Sequence, residues 1–162
     1  RQWPMLFEEE KRRVLGAIGH RVLAVEHIGS TAVPGLGAKP IIDMMAGVRG
    51  PAEADQCIPM LRLIGYTDVT PEPDDPDWYY CCGKGTHSVA YHLHLMRFES
   101  YAWKRHLLFR DYLRAHPDVA RQYYELKKEL AAKYQSDREG YTKAKTAFIE
   151  PIVAKASSEK SV

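Results

Sequence analysis

Asp43 is the residue whose position most strongly suggests chemistry. It interrupts the apolar segment IIDMMAGV at positions 41–48, and the nearly continuous apolar character of that segment predicts a central β-strand. A carboxylate on such a strand is costly to bury unless it is paired with a cation or binds a metal ion. Magnesium prefers oxygen ligands and often bridges a carboxylate to substrate phosphates, so we expect Asp43 to hold a divalent cation beside a phosphate-bearing ligand.

The segment before that strand, GSTAVPGLGAKP at positions 29–40, has the glycines and hydroxyls expected of a phosphate-binding loop. Gly29 lets the backbone approach a ligand closely. A helical turn that begins near Ser30 would offer free N–H groups together with the hydroxyls of Ser30 and Thr31. Lys39 adds a positive charge at the end of the loop. The loop lacks the Walker A pattern, and a stiff connection with helix caps is the alternative interpretation.

Two histidines in the segment YHLHLM, His92 and His94, form a second candidate group. Because they are two positions apart, they share one face if the segment is a strand. Two imidazoles on one face can bind a transition metal or handle protons and phosphate. A half-exposed sheet face is the simpler alternative, and the functional interpretation requires that this face also carries Asp43.

One residue of the preceding strand should face the same site, and the candidates are Glu26 and His27, which point to opposite faces. Their spacing does not decide between them. We therefore predict three catalytic residues, which are Asp43, His92 and His94. The predicted metal ligands are these three residues and Glu26.

Basic residues of the C-terminal part have two interpretations. Lys143 and Lys145, together with Tyr141, would close over the phosphates from the last predicted helix. A solvated helix face is the simpler interpretation of these lysines, and the same holds for three arginines: Arg105, Arg110 and Arg114.

The elements that must position these residues follow from hydrophobic periodicity and from Gly and Pro signals. Helices are predicted over 4–18, over 51–63 with Pro59 kinking or shortening it, from Ser100 to His116, over 119–134, and from a capping box at Ser136 and Glu139 to about Ala154. Strands are predicted over 21–28, 41–48, 66–70, 78–82 and 89–98, with the last two joined by the turn GKGTHS.

This order of elements predicts an α+β fold, a mixed β-sheet with flanking helices and a C-terminal helical layer. We expect one domain over residues 1–155, with a sheet-containing part at 1–98 and a helical part at 99–155. Residues 156–162 are polar and are expected to form a flexible tail.

Composition narrows the class of protein. The 162 residues include 23 Lys and Arg against 21 Asp and Glu, so the net charge of +2 implies no bulk attraction to DNA or to a membrane, and a long nucleic acid is disfavoured. Cys81 and Cys82 are adjacent and would point to opposite faces of a strand, which argues against a disulfide framework and predicts a cytoplasmic protein. No apolar run reaches the roughly 20 residues of a membrane helix.

Four segments together resemble the GrpB family of small bacterial proteins, and the resemblance extends from Trp3 to about Ile152. The segments are EHIGSTAVPGLGAKPIIDMMAGV, YHLHLM, LLFRDYLRAHPDVARQYYELKKELAAKY and DREGYTKAKTAFI. GrpB proteins in turn resemble the polymerase-β-type nucleotidyltransferases. In that superfamily a Gly-Ser pair follows one strand and an acidic pair lies on the next. Gly29 and Ser30 match the first feature and Asp43 the second, but Met45 replaces the second acidic residue.

The resemblance implies a metal-dependent protein that binds a nucleoside triphosphate and transfers a nucleotidyl group to an acceptor. Holding two cations requires more than one carboxylate, so His92 and His94 would take over the missing role. Imidazole ligands favour manganese or zinc over magnesium. The alternative is a non-catalytic module that binds a nucleotide, or a partner protein through its C-terminal helices, and that serves as an accessory to a dephospho-CoA kinase.

Overall fold

A five-stranded mixed β-sheet lies between two groups of helices in the computed structural model, which describes residues 2–37, 39–72, 74–85 and 88–160. The strands are β1 (Ala24–Ile28), β2 (Ile41–Val48), β3 (Asp68–Pro71), β4 (Trp78–Gly85) and β5 (Ala90–Arg97). Their order in the sheet is β1-β2-β5-β4-β3. The central pair of β2 and β5 is parallel, and the other neighbours are antiparallel.

The helices of the described residues are α1 (Trp3–Ile18), α2 (Pro51–Leu63), α3 (Tyr101–Ala115), α4 (Pro117–Lys133) and α5 (Arg138–Lys160). Short 3-10 turns lie at Gly19–Arg21 and Ser30–Ala32. Strands and helices share the first part of the chain, whereas the last part is helical. The predicted α+β class, with a mixed sheet and a C-terminal helical layer, is confirmed.

Each face of the sheet has its own apolar core. On one face, α1 and α2 pack on side chains that include Val25, Met44 and Leu93. On the other face, Met45 and Met96 pack against Trp103 and its neighbours on α3. Because alternate residues of a strand point to opposite faces, the face that carries Met45 also carries Asp43, His92 and His94. The side chains of Asp43, His92 and His94 therefore lie on the face covered by the C-terminal helices.

The loop after β1 packs against the C-terminal helices. Val33 is buried with Leu113 of α3 and with Ala120 and Tyr123 of α4. The ring of Tyr124 lies so close to Gly37 that a Cβ atom at position 37 would approach it to 2.7 Å. The conformation of this loop thus depends on residues more than 70 positions later in the chain.

Several predicted boundaries are shifted. The strand predicted over 21–28 begins at Ala24, because Arg21 belongs to a 3-10 turn and a bend at Leu23 precedes the strand. The strand predicted over 78–82 continues to Gly85, while Thr86 and His87 of the predicted turn lie outside the described residues. Helix α2 runs over its whole predicted length with Pro59 inside it. The predicted break at His116 is confirmed, since α3 ends and α4 begins on either side of it.

The predicted bounds of the last helix are wrong at both ends. Its N-terminal cap is Asp137 and not Ser136, since the Asp137 carboxylate accepts a hydrogen bond of 2.9 Å from the Gly140 N–H. Its C-terminal end lies at Lys160, well beyond the predicted end near Ala154. Ala156 is buried, and this burial of an apolar side chain continues the helix.

None of the helices within the described ranges is long and apolar enough to cross a membrane.

His27 ties β1 to the turn that follows it. Its ring is buried and stacks on Phe7 of α1 at a centroid distance of 4.7 Å. The Thr31 hydroxyl donates a hydrogen bond of 3.0 Å to the carbonyl oxygen of Ile41, so it accepts the one of 2.9 Å from Nε2 of His27. Burial, reinforced by the positive charge of Arg114, lowers the pKa of His27 to about 4. The sheet and the turn are therefore joined through a neutral imidazole.

This imidazole predicts loss of stability in acid. The unfolded chain binds a proton at His27 below about pH 6.5, whereas the folded protein resists it down to about pH 4, so the free energy of unfolding falls as the pH drops through that window. Substitution His27→Gln keeps a donor for Thr31 and removes the titration. Chemical denaturation at several pH values should then show a slope smaller by up to about 1.4 kcal/mol per pH unit.

The matched control is Phe7→Leu, which removes the stacked ring but keeps the histidine. It should lower the free energy of unfolding at every pH, and a pH-dependent slope should persist because His27 still titrates. An unchanged slope in His27→Gln would show that other groups cause the acid sensitivity.

Candidate functional site

Asp43 lies at the centre of the candidate site, on the strand between β1 and β5. Its register partners are Ile28 on β1 and His92 on β5. Oδ1 of its carboxylate lies 3.5 Å from Nδ1 of His92 and 3.4 Å from Nε2 of His94. The Asp43 side chain is 28% exposed. The two histidines thus share the face of Asp43, as the functional interpretation of the sequence requires.

The carboxylate and His94 form an ion pair. Burial acts to raise the pKa of Asp43, but hydrogen bonds from His92 and His94 and their charges outweigh it and hold this pKa well below its usual range. Burial likewise acts to lower the pKa of His94, yet the hydrogen bond with Asp43 and the nearby Cys81 on β4 raise it to about 9. At neutral pH an ionised Asp43 therefore faces a protonated His94.

Gly29 allows the loop backbone to lie against this carboxylate. Its φ of +76° is in the left-handed region that favours glycine. A Cβ atom at this position would stand 2.7 Å from Oδ2 of Asp43. The predicted close approach at Gly29 is thus observed, and its nearest neighbour is the aspartate itself.

Ser30 contacts a lysine that was not predicted from the sequence. Nζ of Lys127, on α4, donates a hydrogen bond of 2.8 Å to the Ser30 hydroxyl. Burial lowers the pKa of Lys127, and the positive charge of Lys145 adds to this effect, while the negative charge of Asp43 opposes it. Lys128, the next residue on the helix, is exposed and pairs instead with Glu125 at 3.6 Å.

The two lysines predicted on α5 have different surroundings. Lys143 is exposed and pairs with Glu139 at 3.3 Å, as expected for a solvated helix face. Lys145 is largely withdrawn from solvent, which lowers its pKa, and it lies within range of the charges of Asp43 and Arg105. Lys145 therefore lies near enough to feel the charge of Asp43, whereas Lys143 lies at the surface.

The remaining loop residues have distinct environments. Lys39 is exposed, and its charge acts on Lys127, which places it at the same edge of the site. The Thr31 hydroxyl is buried and is engaged by His27 and the carbonyl of Ile41, so its role here is to fix the turn.

Glu26 lies on the site face of β1, where its carboxylate is held by an arginine. Nη1 of Arg110, on α3, lies 2.8 Å from Oε1 of Glu26. The Arg110 side chain is only 12% exposed. The expectation that Arg110 lies on a solvated helix face is therefore wrong, and the same contact places Glu26 beside α3.

Met45, at the second acidic position of the nucleotidyltransferase pattern, is completely buried. It packs with Ile28, Met96 and Trp103 beneath α3. A carboxylate at this position would be enclosed by apolar side chains, which would strongly disfavour its charged form. Met45 therefore belongs to the apolar core beneath α3.

The donor set at Asp43 fits a cation that a bound molecule helps to hold. Within the described ranges, no group of three or more His, Cys, Asp or Glu side chains is arranged to hold a metal ion. Magnesium frequently completes its coordination with substrate phosphates and water. Asp43 and His92, whose side chains are 28% and 41% exposed, are accessible as protein ligands for such a shared cation.

Comparison with known proteins agrees with this architecture. Residues 1–155 match the family profile described as GrpB protein. The UPF0157 protein YqkA of Bacillus subtilis is 38% identical over 149 residues, which are 92% of this chain and 43% of YqkA. The crystal structure of the conserved protein GrpB from Enterococcus faecalis superposes with a TM-score of 0.84 at 34% identity and covers 99% of this chain and 96% of that one.

The more distant structural neighbours are nucleotidyltransferases. A chain of the poly(A) polymerase complex GLD-2–GLD-3 superposes with a TM-score of 0.55 at 11% identity, over 80% of this chain and 45% of that chain. At this identity the likeness shows the fold. The predicted nucleotidyltransferase-like sheet is thereby confirmed.

A protein of different description also matches. A dephospho-CoA kinase of Mycolicibacterium paratuberculosis is 26% identical over 178 aligned residues, which cover 96% of this chain and 44% of the kinase. This chain spans less than half the length of both YqkA and the kinase.

The ion pair between Asp43 and His94 predicts a measurable shift. In Asp43→Asn the buried imidazole loses the charge that favours its protonation, so the pKa of His94 should fall from about 9 to below the usual value for histidine. An NMR titration of the histidine ring signals measures this pKa directly.

The matched control is Glu26→Gln, which removes a carboxylate from the same sheet face without removing the partner of His94. It should leave the pKa of His94 near 9. An equal fall in both variants would contradict the pairing.

Proposed function

The chain belongs to the GrpB family, and we propose that it binds a nucleoside triphosphate with a divalent cation at Asp43 and transfers the nucleotidyl group to an acceptor hydroxyl. The observation that carries this proposal is the proximity of opposite charges near the N-terminal end of β2. Asp43 lies there beside the Gly29–Ser30 turn, and Lys127 and Lys145 reach the same place from two helices.

The lysines and the turn supply the phosphate subsite. Lys127 already contacts the Ser30 hydroxyl, so an incoming phosphate oxygen can accept hydrogen bonds from both. Lys145 and the exposed Lys39 add positive charge around them. Partial burial makes the charges of Lys127 and Lys145 more effective than they are in water, because the local dielectric is lower. The negative charges of a triphosphate would be balanced by the side chains of Lys127, Lys145 and Lys39.

Asp43 would bind the cation together with His92 and oxygens of the ligand phosphates. The cation would neutralise phosphate charge, which is its usual contribution to phosphoryl chemistry. His94 has a separate role, because its proton holds the Asp43 carboxylate in its ionised form and fixed orientation. The site residues thus bind and orient the triphosphate and balance its charge.

The proposed transfer is an in-line displacement. The acceptor hydroxyl oxygen forms a bond to the α-phosphorus, the bond between that phosphorus and the bridging oxygen to the β-phosphate breaks, and pyrophosphate leaves. The hydroxyl proton passes to water. Positioning and charge stabilisation by the lysines, the turn and Asp43 are the chain's contribution to the rate.

Met45 favours a second candidate function, a module that binds a nucleotide without turning it over. Its burial beneath α3 leaves one strand carboxylate where the superfamily pattern has two. The match to less than half of a dephospho-CoA kinase suggests one setting for such a module, as an accessory to that enzyme or to another partner protein. Binding without product formation is the outcome that this alternative predicts.

Thermal unfolding with each common nucleoside triphosphate, with and without magnesium or manganese, tests the proposal. A ligand at about 100 times its Kd should stabilise the folded protein by roughly 2.7 kcal/mol. Binding should weaken about tenfold or more in Lys127→Met and Lys145→Met, the loss expected for a charge-assisted hydrogen bond. In Asp43→Asn the stabilisation that depends on the metal should disappear.

Two lysines on the same helices provide matched controls. Lys128→Met and Lys143→Met remove exposed charges that pair with glutamates, and both should bind as the natural protein does. No stabilisation by any triphosphate with either metal would refute the proposed function. Release of pyrophosphate in the presence of an acceptor distinguishes transfer from binding alone.

A further inference from the structure

Two arginines of α3 hold the turn that follows β1. We infer that Arg110 and Arg114 are positioning residues that keep the Gly29–Ser30 turn in the shape that binds phosphate. We call these two arginines the clamp. The identity of the ligand rests on the proposed function, whereas the clamp rests on contacts in the structure.

Arg110 binds the chain just before the turn. Its Nη1 donates hydrogen bonds of 2.8 Å to Oε1 of Glu26 and 3.1 Å to the carbonyl oxygen of His27. Its Nε donates a bond of 2.9 Å to Oδ1 of Asp111, and Nη2 lies 2.9 Å from the same oxygen. One guanidinium therefore joins the end of β1 to α3 through several bonds at once.

Arg114 binds the chain just after the turn. Its Nε donates a hydrogen bond of 2.8 Å to the carbonyl oxygen of Ala32. The residues that these arginines engage through backbone oxygens, His27 and Ala32, lie on either side of Gly29 and Ser30. The two arginines are one helical turn apart on α3, so a rigid helix fixes the distance between the two points at which they bind the chain.

The clamp keeps backbone oxygens away from a bound anion. A carbonyl oxygen carries partial negative charge and would repel a phosphate, whereas a carbonyl that accepts a bond from α3 is committed to that helix. The sheet holds the turn from its other side through the hydrogen bond of 3.0 Å from Thr31 to Ile41. The Ser30 hydroxyl is left facing Lys127.

The charge of Arg110 is already balanced within the clamp. Glu26 and Asp111 both lie within 3 Å of its guanidinium. Its effect on a phosphate ligand should therefore act through the shape of the turn and not through direct attraction, which separates it from Lys127 and Lys145. A lysine in its place would keep the charge but lose the planar fork that makes several bonds together.

Substitutions Arg110→Lys and Arg114→Lys test the inference because both preserve charge. Isothermal titration calorimetry with inorganic tripolyphosphate, and separately with ATP and magnesium, measures affinity. Hydrogen exchange of the amides at residues 29–33 in the free protein measures the turn. We expect about tenfold weaker binding of both probes, the effect of losing a charge-assisted bond, and faster exchange in the turn. Exchange in β2 and β5 should be unchanged.

Arg121→Lys on α4 is the matched control, since its side chain is exposed, and it should match the natural protein in both measurements. Arg114, whose side chain is 41% exposed, is the milder substitution if Arg110→Lys unfolds. Natural affinity in the clamp variants would overturn the inference, and so would faster exchange throughout the sheet. If the natural protein binds neither probe, the proposed function fails, and unchanged exchange in the turn would then overturn the clamp as well.

Discussion

The negative charge of Asp43, a carboxylate only partly exposed to water, governs how the candidate site is built. Burial opposes that charge, and the protein keeps it by placing His92 and His94 on the neighbouring parallel strand. A shift of one residue in the register between β2 and β5 would turn both histidines toward the face opposite to Asp43. The order of the strands and the pairing of the two central ones are therefore conditions for an ionised Asp43.

The site is assembled from two layers that are far apart in the chain. The sheet provides Asp43 and its histidines, and the C-terminal helices provide Lys127 and Lys145. The loop between β1 and β2 connects the two layers, because Val33 packs into the helical core. The chain of the GLD-2–GLD-3 complex shares this type of sheet, and in the present protein α3 covers Met45 and leaves Asp43 as the carboxylate on this face of β2.

Most of the fold could be predicted from local signals. The apolar run around Asp43 identified the central strand, and the predicted end of a helix at His116 identified the break between two helices. The errors lie where tertiary packing overrides those signals. Buried Ala156 extends the last helix past a polar sequence, and the 3-10 turn before Ala24 shortens the first strand.

The sequence alone identified the candidate residues: a lone aspartate on an apolar strand, two histidines on one face, and a Gly-Ser turn. Each of these signals is local, because it depends on neighbours within a few positions. The basic residues that lie near them could be identified from the packing of the helices but not from the sequence. Lys127 and Lys128 are adjacent and chemically identical, yet one reaches Ser30 and the other pairs with Glu125 at the surface. Their difference is a rotation of about 100° around the helix, and the packing of α4 against the loop sets the direction of that rotation.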